Sequence, residues 1–240
     1  MSWKRFTKPR FLFVYPLTVA LFLFAHVTER SFRAGMILII LGELVRGWAN
    51  GHVGHLKVNW TQKWRGDAKI GRLVTAGPYA FVRHPLYLGT LVIGAGFCLM
   101  VNNPWLTLAA LAGFLSVYHR TMAQEEALLR DECSQEYLAY QAAVPRLVPR
   151  WHRYARRQGE WSWRGIAASK EWKTAIWIMV LAISVYFWEE WVQERGRLLE
   201  ERHAHRLFLL ALLLLLMAID GVVEIVTRRM KAKARTGLQP

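Results

Sequence analysis

The residues best suited to chemistry in this 240-residue chain lie in one stretch, Gly77 to Gly96, with the sequence GPYAFVRHPLYLGTLVIGAG. Its Arg-His pair stands directly before a proline and an apolar run. A basic anchor that holds a membrane helix at the lipid headgroups would account for Arg83 alone. It would not account for the close grouping of Tyr79, His84, Pro85 and Tyr87. We therefore interpret the stretch as a polar site at the mouth of an apolar helix.

A second polar group follows the next apolar segment. Glu125 and Glu126 are adjacent carboxylates in a segment whose apolar residues have helical spacing. This pattern predicts an amphipathic helix along a membrane surface, ended by Pro145. Two interpretations of the carboxylates remain open: they belong to a functional site, or they lie on a solvated helix face near Arg120 and Arg130.

The composition is typical of a membrane protein. Hydrophobic residues make up 54% of the chain, which has 12 Trp and a mean hydropathy of +0.14, so it is more apolar than an ordinary soluble domain. Two cysteines, Cys98 and Cys133, provide neither a disulfide framework nor a set of metal ligands. The histidine pairs at 52/55 and 203/205 lack nearby cysteine or carboxylate partners, so we expect no metal site.

The net charge of +15 suits either nucleic acid or anionic lipid, and its distribution decides between them. Apolar segments that could enter a bilayer lie at 11–27, 32–49, 86–101, 105–118, 172–191 and 207–226. Of the 32 Lys and Arg residues, 25 fall in the termini and alternate loops assigned to one side. The positive-inside rule places both termini and the site on the cytoplasmic side. We therefore expect binding to membrane lipids and not to nucleic acid.

These segments predict an all-α, polytopic membrane protein with about six transmembrane helices. Asn102-Asn103-Pro104 predicts a turn, so the segments on either side of it form a helical hairpin. We expect two N-terminal transmembrane helices in residues 1–49, and a core in 50–150 that contains the hairpin and the Glu pair. Residues 151–240 would form a basic linker and two C-terminal transmembrane helices of unassigned role.

Together the two polar groups resemble a known family. LVTAGPYAFVRHPLYLG, a hydrophobic hairpin, EE and then EYLAYQAAVPR follow one another as in the isoprenylcysteine carboxyl methyltransferase and phospholipid methyltransferase superfamily. The resemblance covers about Gly42 to Pro149. It implies an integral-membrane enzyme that uses S-adenosylmethionine, with residues 50–150 as the methyltransferase core. The cofactor site would lie at the cytoplasmic interface and would be completed by the amphipathic helix.

The resemblance also implies which residues bind the cofactor. They lie around the Arg-His-Pro motif, in the helix after it and in the Glu pair: Leu73, Val74, Tyr79, Arg83, His84, Pro85, Leu86, Tyr87, Gly94, Gly96, Glu125 and Glu126. Gly94 and Gly96 match a G-x-G motif of the phospholipid branch, although close helix contacts explain small residues equally well. In the isoprenylcysteine branch an Arg faces the substrate where this chain has Thr121, so the neighbouring Arg120 is the candidate substrate contact.

These residue types suit the cofactor. Carboxylates such as Glu125 or Glu126 can bind its ammonium group or ribose hydroxyls, and Arg83 or His84 can bind its carboxylate. Tyrosine rings can face its sulfonium. Methyl transfer to a carboxylate or thiolate depends mainly on alignment. No residue is indicated as a dedicated base, which transfer to an amine would need.

The expected acceptor is a lipid, or a prenylated small molecule or peptide, methylated on a carboxyl, amine or thiol. One alternative is a phospholipid N-methyltransferase. Another is a sterol or isoprenoid reductase with a nicotinamide cofactor, against which the Glu pair argues. A third is a non-enzymatic membrane carrier built on Asp220 and Glu224, which lie four residues apart in the last predicted span, toward its cytoplasmic end. Glu43 and Arg46, three residues apart, predict a structural ion pair.

Overall fold

The structure is a computed structural model that describes residues 19–20, 23–24, 26–53, 73–163, 166, 171–193 and 203–236. These described residues form five α-helices and one short 3-10 helix, with no strand among them. The prediction of an all-α fold is therefore confirmed. The chain divides into two compact units, Met1–Trp172 and Lys173–Pro240. The predicted boundary between the core, 50–150, and the C-terminal region, 151–240, stays a prediction.

The first unit contains helix α1, Glu29–Val53, and helix α2, Pro85–Val101. Two hydrogen bonds between Thr28, just before α1, and Ser31, in its first turn, determine where the helix begins. The Thr28 amide donates to Ser31 Oγ (2.9 Å), and the Ser31 amide donates to Thr28 Oγ1 (3.1 Å). This reciprocal exchange satisfies amides that have no partner within the helix.

Helices α1 and α2 approach each other so closely that only glycine fits at their contact. A Cβ atom on Gly35 would lie 2.5 Å from the Gly96 carbonyl oxygen, and one on Gly42 would lie 2.6 Å from that of Gly89. In each helix the two glycines are seven residues apart, so they lie on one face. The backbones therefore touch at two levels, which fixes α2 against α1.

The predicted turn between the hairpin arms is confirmed. Asn102 adopts a left-handed conformation with φ of 51°, which Asn tolerates better than most residues. The Asn103 side chain accepts hydrogen bonds from the first amides of the next helix, those of Trp105 and Leu106. Helix α3, Pro104–Ala143, therefore begins one residue after Asn103.

Helix α3 differs from the prediction in its length. A separate amphipathic helix was expected after residue 118, but the same helix continues for 40 residues, about 60 Å at 1.5 Å per residue. The physical reason is that the chain has neither glycine nor proline from Phe114 to Val144. The helix ends before Pro145, as expected, because the extended Val144 follows it.

The chain after α3 turns back along the segment that precedes α2. The Arg150 amide donates to the Phe81 carbonyl (3.1 Å), and the Tyr154 amide donates to the Ala80 carbonyl (3.0 Å). These bonds join residues that are far apart in sequence. They hold the two irregular segments together next to the N-terminal end of α2.

The predicted ion pair between Glu43 and Arg46 is wrong. Arg46 instead pairs with Glu171, and its Nη1 donates to Thr90 Oγ1 (3.3 Å). Three residues of separation place two side chains near each other on a helix, but they do not decide which partner from another segment is closer.

The second unit contains most of helix α4, Glu171–Gln193, and all of helix α5, His203–Thr236. Lys173 Nζ lies 3.5 Å from Asp220 Oδ1. Asp220 therefore has a cationic neighbour within its own unit.

Among the described residues, no helix has both the length and the apolar character required to cross a membrane. Most of the predicted first segment, 11–27, lies outside the described residues, as does His55. The number of transmembrane helices stays a prediction.

Candidate active site

The Arg83-His84-Pro85 corner is shaped by two local features of the sequence. A short 3-10 helix, Gly77–Ala80, precedes it, and Gly77 has a φ of 61°, which favours glycine because it has no side chain. Pro85 is the first residue of α2, where its missing amide hydrogen leaves no helical bond unmade. His84 therefore lies just outside the helix, at its N-terminal end.

The segment after α3 holds the backbone of this corner. The Arg83 amide donates to the Pro145 carbonyl (2.9 Å), and the His84 amide donates to the Arg146 carbonyl (3.2 Å). Since Pro145 and Arg146 directly follow α3, these bonds attach the end of α3 to the start of α2.

His84 lies between the two adjacent carboxylates of α3. Its Nε2 is 3.0 Å from Glu126 Oε1, and its Nδ1 is 3.7 Å from Glu125 Oε2. The His84 side chain is 7% exposed. The two polar groups that the sequence separates by about 40 residues thus meet in one place.

Glu126 is buried and surrounded by cationic side chains. Arg146 donates to it twice, from Nε to Oε1 (2.9 Å) and from Nη2 to Oε2 (2.6 Å), and Arg83 Nη1 lies 3.0 Å from Oε1. Burial raises the pKa of Glu126, but hydrogen bonds from His84 and Arg146 and the charge of Arg83 outweigh it and lower the pKa to about 2. Glu126 is therefore ionised at neutral pH.

Glu125 has a different environment. Its side chain is 20% exposed, and the Tyr87 hydroxyl donates to its Oε1 at 2.5 Å. Burial raises the pKa of Glu125 more than the Tyr87 hydrogen bond and His84 lower it, and the charge of Glu126 raises it further. Neighbouring acids whose pKa values move in opposite directions are typical of functional sites.

Aromatic rings support Tyr87. Its ring centroid lies 5.6 Å from that of His84 and 5.2 Å from that of Tyr118, which stacks on Phe114 at 4.2 Å. Contacts of this kind stabilise a fixed ring orientation. They keep the Tyr87 hydroxyl directed at Glu125.

A buried cluster lies behind the corner. Leu73 packs there with Tyr137, Tyr140 and Val144, and the Tyr140 hydroxyl donates to the Tyr79 carbonyl (2.7 Å). Burial raises the pKa of Tyr79 and of Tyr140, so both hydroxyls are neutral. Leu73 and Tyr79 are therefore connected to the site through this core.

Three further predicted residues are buried or half-buried. Pro85 is fully buried, and Leu86 is half-buried, with its carbonyl accepting the Thr90 hydroxyl (2.9 Å). Val74 is half-buried beside Gly159, where a Cβ atom would lie 3.0 Å from Val74 Cγ1. Their roles toward a cofactor stay predictions.

The remaining three predicted residues are placed differently. A Cβ atom on Gly96 would lie 2.7 Å from the Gly35 carbonyl oxygen, so this residue belongs to the α1–α2 contact. Gly94 has open space where its side chain would be, and Arg120 is exposed on α3. The structure does not bring them into the His84 cluster, and their proposed roles stay predictions.

Arg83 and Tyr137 each keep buried polar atoms without a hydrogen-bond partner within the described part of the chain. These atoms are Nε and Nη1 of Arg83 and the hydroxyl of Tyr137. Although Arg83 Nη1 is close to Glu126, its orientation gives an ion pair and no hydrogen bond. Buried polar groups of this kind are rare and often mark the place of a ligand.

Sequence reasoning missed Arg146 and the burial of Tyr137. Arg146 stands in the motif EYLAYQAAVPR, and a basic residue directly after a helix end and a proline was the available signal. Tyr137 has the helical spacing of the apolar residues, which indicated a face of α3 but not what that face contacts. It is 1% exposed.

The sequence of the chain matches one known protein family. A family model for the isoprenylcysteine carboxyl methyltransferase (ICMT) family matches residues 35–131. The probable protein-S-isoprenylcysteine O-methyltransferase of Oryza sativa subsp. indica is 30% identical over 135 residues, which are 55% of this chain and 69% of the rice protein.

Two other relatives widen the comparison. Protein-S-isoprenylcysteine O-methyltransferase B of Arabidopsis thaliana is 30% identical over 115 residues, covering 48% of this chain and 57% of that protein. The cobalt-zinc-cadmium resistance protein CzcN of Cupriavidus metallidurans is 26% identical over 172 residues, covering 72% and 76%. No solved structure matches the chain.

The residues matched by the family model include both the Arg83-His84-Pro85 corner and the Glu pair. The chain belongs to the isoprenylcysteine carboxyl methyltransferase family of methyltransferases.

Proposed function

We propose that the protein transfers a methyl group from S-adenosylmethionine to the carboxylate of a prenylated or otherwise lipid-like acceptor. The observation that carries this proposal is the contact of His84 with both Glu125 and Glu126. It joins the two motif segments of the family into one polar centre. Such a centre has both cationic and anionic groups for a zwitterionic cofactor.

The residues of the corner fit the charged groups of S-adenosylmethionine. Arg83 Nε, which is buried without a hydrogen-bond partner within the described residues, suits its carboxylate, while Nη1 keeps its ion pair with Glu126. Glu125, which is partly exposed, suits its ammonium group or ribose hydroxyls, and the rings of Tyr79 and Tyr87 suit its sulfonium. When bound, the cofactor supplies an electrophilic methyl group.

Glu126 acts in this proposal as a positioning residue. Both of its oxygens already accept hydrogen bonds from Arg146, and one of them also contacts His84. It holds His84 and Arg83 in place, whereas Glu125 and Arg83 contact the ligand. An acceptor carboxylate is ionised at neutral pH and needs no base, so alignment of the reactants supplies most of the rate enhancement.

The lipid-like acceptor is supported by the surface of the first unit. Ile37, Ile40, Leu41 and Leu44 are 46–63% exposed and follow one another at helical spacing on α1. An exposed apolar stripe of this kind suits lipid contact. The names of the rice and Arabidopsis relatives specify a prenylated cysteine as their substrate. We propose the same chemical class here, reaching a site on the cytoplasmic side of the membrane.

The test is transfer of a labelled methyl group from S-adenosylmethionine by the purified full chain. N-acetyl-S-farnesylcysteine should become labelled on its carboxylate, and its methyl ester, which lacks a free carboxylate, should not. His84→Ala should reduce the rate about a hundredfold, because alignment is lost. Tyr154→Phe, which removes the hydroxyl of a tyrosine whose ring packs against Tyr140, should leave the rate unchanged.

Other outcomes would contradict the proposal. Label in the amine of phosphatidylethanolamine and not in the farnesyl compound would indicate a phospholipid N-methyltransferase. Binding of NADPH but not of S-adenosylmethionine would indicate a reductase. If neither cofactor bound and no acceptor became labelled, the proposed activity would be wrong.

A further inference from the structure

A cavity opens on α1, and none of its lining residues belongs to the candidate active site. Its volume is about 580 Å³. The residues that determine its chemistry are Glu43, Trp48, His52, Trp161 and Trp163. Three indole rings, one carboxylate and one imidazole thus line one pocket in the first unit.

The indole rings give the pocket aromatic walls. The ring centroids of Trp161 and Trp163 lie 4.6 Å apart with their planes at 75°, so the two rings form a corner. Trp48 lines the same cavity from α1. The three rings remain 40%, 74% and 46% exposed for Trp161, Trp163 and Trp48, which leaves their surfaces accessible to a ligand.

This aromatic corner is attached to α1 by specific contacts. The Ser162 amide donates to the Gly51 carbonyl (2.9 Å). The indole of Trp161 packs directly on Gly51, where it leaves no room for a Cβ atom. The Ser162 hydrogen bond and the packing of Trp161 therefore fix this segment against α1.

The charges around the pocket leave one carboxylate without its own cation. Oε1 of Glu43 is buried and has no hydrogen-bond partner within the described residues. Arg46, three residues later on α1, is paired with Glu171. Burial lowers the pKa of His52, so its imidazole is neutral at pH 7. Glu43 carries the one carboxylate among the described residues that line the pocket.

We propose that this pocket binds a quaternary ammonium cation, the group carried by choline and by choline headgroups. Aromatic rings attract such cations, and several rings together form the usual cage for them. A quaternary ammonium has no N–H group, so it needs few hydrogen-bond acceptors and suits walls made of indole. Glu43 supplies the opposite charge. This proposal does not depend on the methyl transfer proposed above.

The test is calorimetric titration of choline into the purified full chain in a maltoside detergent, which carries no cation. Choline should bind, and 3,3-dimethylbutan-1-ol, its neutral isostere, should bind at least about tenfold more weakly. Glu43→Gln and Trp163→Leu should each weaken choline binding about tenfold, whereas Trp163→Phe should retain most of it. Trp151→Leu is the matched control, because Trp151 is 96% exposed and does not line the pocket.

Several results would overturn the proposal. Equal binding of choline and its neutral isostere would show a merely apolar cavity. Unchanged choline affinity in both Glu43→Gln and Trp163→Leu, with circular dichroism showing folded protein, would place binding elsewhere. Absence of choline binding to the unsubstituted chain would reject the site outright. S-adenosylmethionine affinity should be the same with and without Glu43→Gln, which separates this pocket from the proposed active site.

The same titration in lipid nanodiscs identifies the source of the cation. If a choline lipid occupies the pocket, phosphatidylcholine discs should lower the apparent affinity for added choline relative to phosphatidylglycerol discs. If the pocket takes a soluble quaternary ammonium compound, the affinity should be the same in both discs. Either result supports the site, and they differ only in the molecule that carries the cation.

Discussion

Glu125 and Glu126 are adjacent in sequence and both contact His84, but the rest of their surroundings differ. Glu126 accepts bonds from Arg146 and contacts Arg83 and His84, whereas Glu125 accepts the Tyr87 hydroxyl and keeps a fifth of its side chain exposed. Adjacent residues on a helix point about 100° apart, so one side chain can be buried while the next stays partly exposed. This difference is the basis for assigning Glu126 to positioning and Glu125 to ligand binding.

Removing the charge of Glu126 should destabilise the protein. Glu126→Gln keeps the shape of the side chain but leaves Arg83 and Arg146 without their anion, so we expect a loss of about 3 kcal/mol. Chemical unfolding followed by circular dichroism measures it. The control is Asp131→Asn on the same helix, since Asp131 is exposed. Equal stability of the two variants would contradict the assigned role.

The same carboxylate should make stability depend on pH. The pKa of Glu126 is about 2 in the folded protein, below its ordinary value of 4.5. Its contribution to stability is therefore complete above about pH 4.5 and is lost as the pH falls toward 2. We expect Glu126→Gln to flatten the unfolding profile between these values. A profile as steep as that of the unsubstituted protein would show that other carboxylates cause it.

Tyr87→Phe should change the pH dependence of cofactor binding, if the proposed function holds. The Tyr87 hydrogen bond lowers the pKa of Glu125, so its removal raises that pKa further. Affinity for S-adenosylmethionine, which needs the ionised carboxylate, should fall about tenfold, and its acid limb should move to higher pH. Calorimetry across pH measures both effects. Tyr154→Phe should show neither, and an unshifted acid limb in Tyr87→Phe would remove Glu125 from the binding site.

At the scale of secondary-structure elements, the geometry of the site depends on the contacts that fix the position of α2. Glycine pairs fix it against α1, and hydrogen bonds from Arg83 and His84 attach its beginning to the chain that leaves α3. The long α3 carries Glu125 and Glu126 in its interior, where the helix ladder keeps them in position. Two rigid helices therefore determine the distance between His84 and the carboxylates.

Two glycines of α2 should respond in opposite ways to the same substitution. Gly96→Ala places a methyl group 2.7 Å from the Gly35 carbonyl oxygen, and this overpacking should cost about 2 kcal/mol. Gly94→Ala meets nothing within 4 Å and should stabilise α2 by up to about 1 kcal/mol, since alanine favours helix. Chemical unfolding compares the two variants. A destabilised Gly94→Ala would indicate a contact at this glycine beyond its own helix.

The Gly94→Ala variant also tests the G-x-G motif as a cofactor contact. If Gly94 approaches the cofactor, the added methyl group should weaken binding of S-adenosylmethionine while the fold stays intact. Unchanged affinity would remove Gly94 from the cofactor site, and the helix contact with Gly35 would explain Gly96 alone.

At the scale of the whole molecule, a chain with a net charge of +15 exposes apolar stripes. Besides the stripe on α1, the first half of α3 exposes Trp105, Leu108, Leu111 and Leu115. Apolar surface next to Lys and Arg is the pattern that anionic lipid membranes attract. The surface thus agrees with the proposed lipid-like acceptor.

We therefore expect the expressed protein to stay with the membrane fraction after an alkaline carbonate wash. Exchanging Ile37, Ile40, Leu41 and Leu44 together for Gln should increase the fraction released, because the α1 stripe loses its apolar character. Immunoblots of pellet and supernatant measure the distribution. Quantitative release of the unsubstituted protein would contradict the membrane setting.

Local interactions are what the sequence by itself determined. Helical periodicity, the Asn102-Asn103-Pro104 turn and the proline that starts α2 act within a few residues, so the all-α class and the hairpin turn could be predicted. The family motifs also indicated that the Arg-His-Pro corner and the Glu pair belong to one site. The length of α3 was missed because the loss of apolar character after residue 118 was taken to mark the end of the helix, although neither glycine nor proline occurs from Phe114 to Val144.

Only the tertiary structure decided which residues become partners. Arg146 pairs with Glu126 across 20 residues, Arg46 pairs with Glu171 across 125, and Gly96 faces Gly35. Each pairing depends on the approach of separate segments, which leaves no periodic trace in the chain. Burial, hydrogen bonds and neighbouring charges together then set the pKa of each carboxylate. For this reason the sequence indicated the chemical groups of the site, but packing determined which acid is a structural anion and which remains available to a ligand.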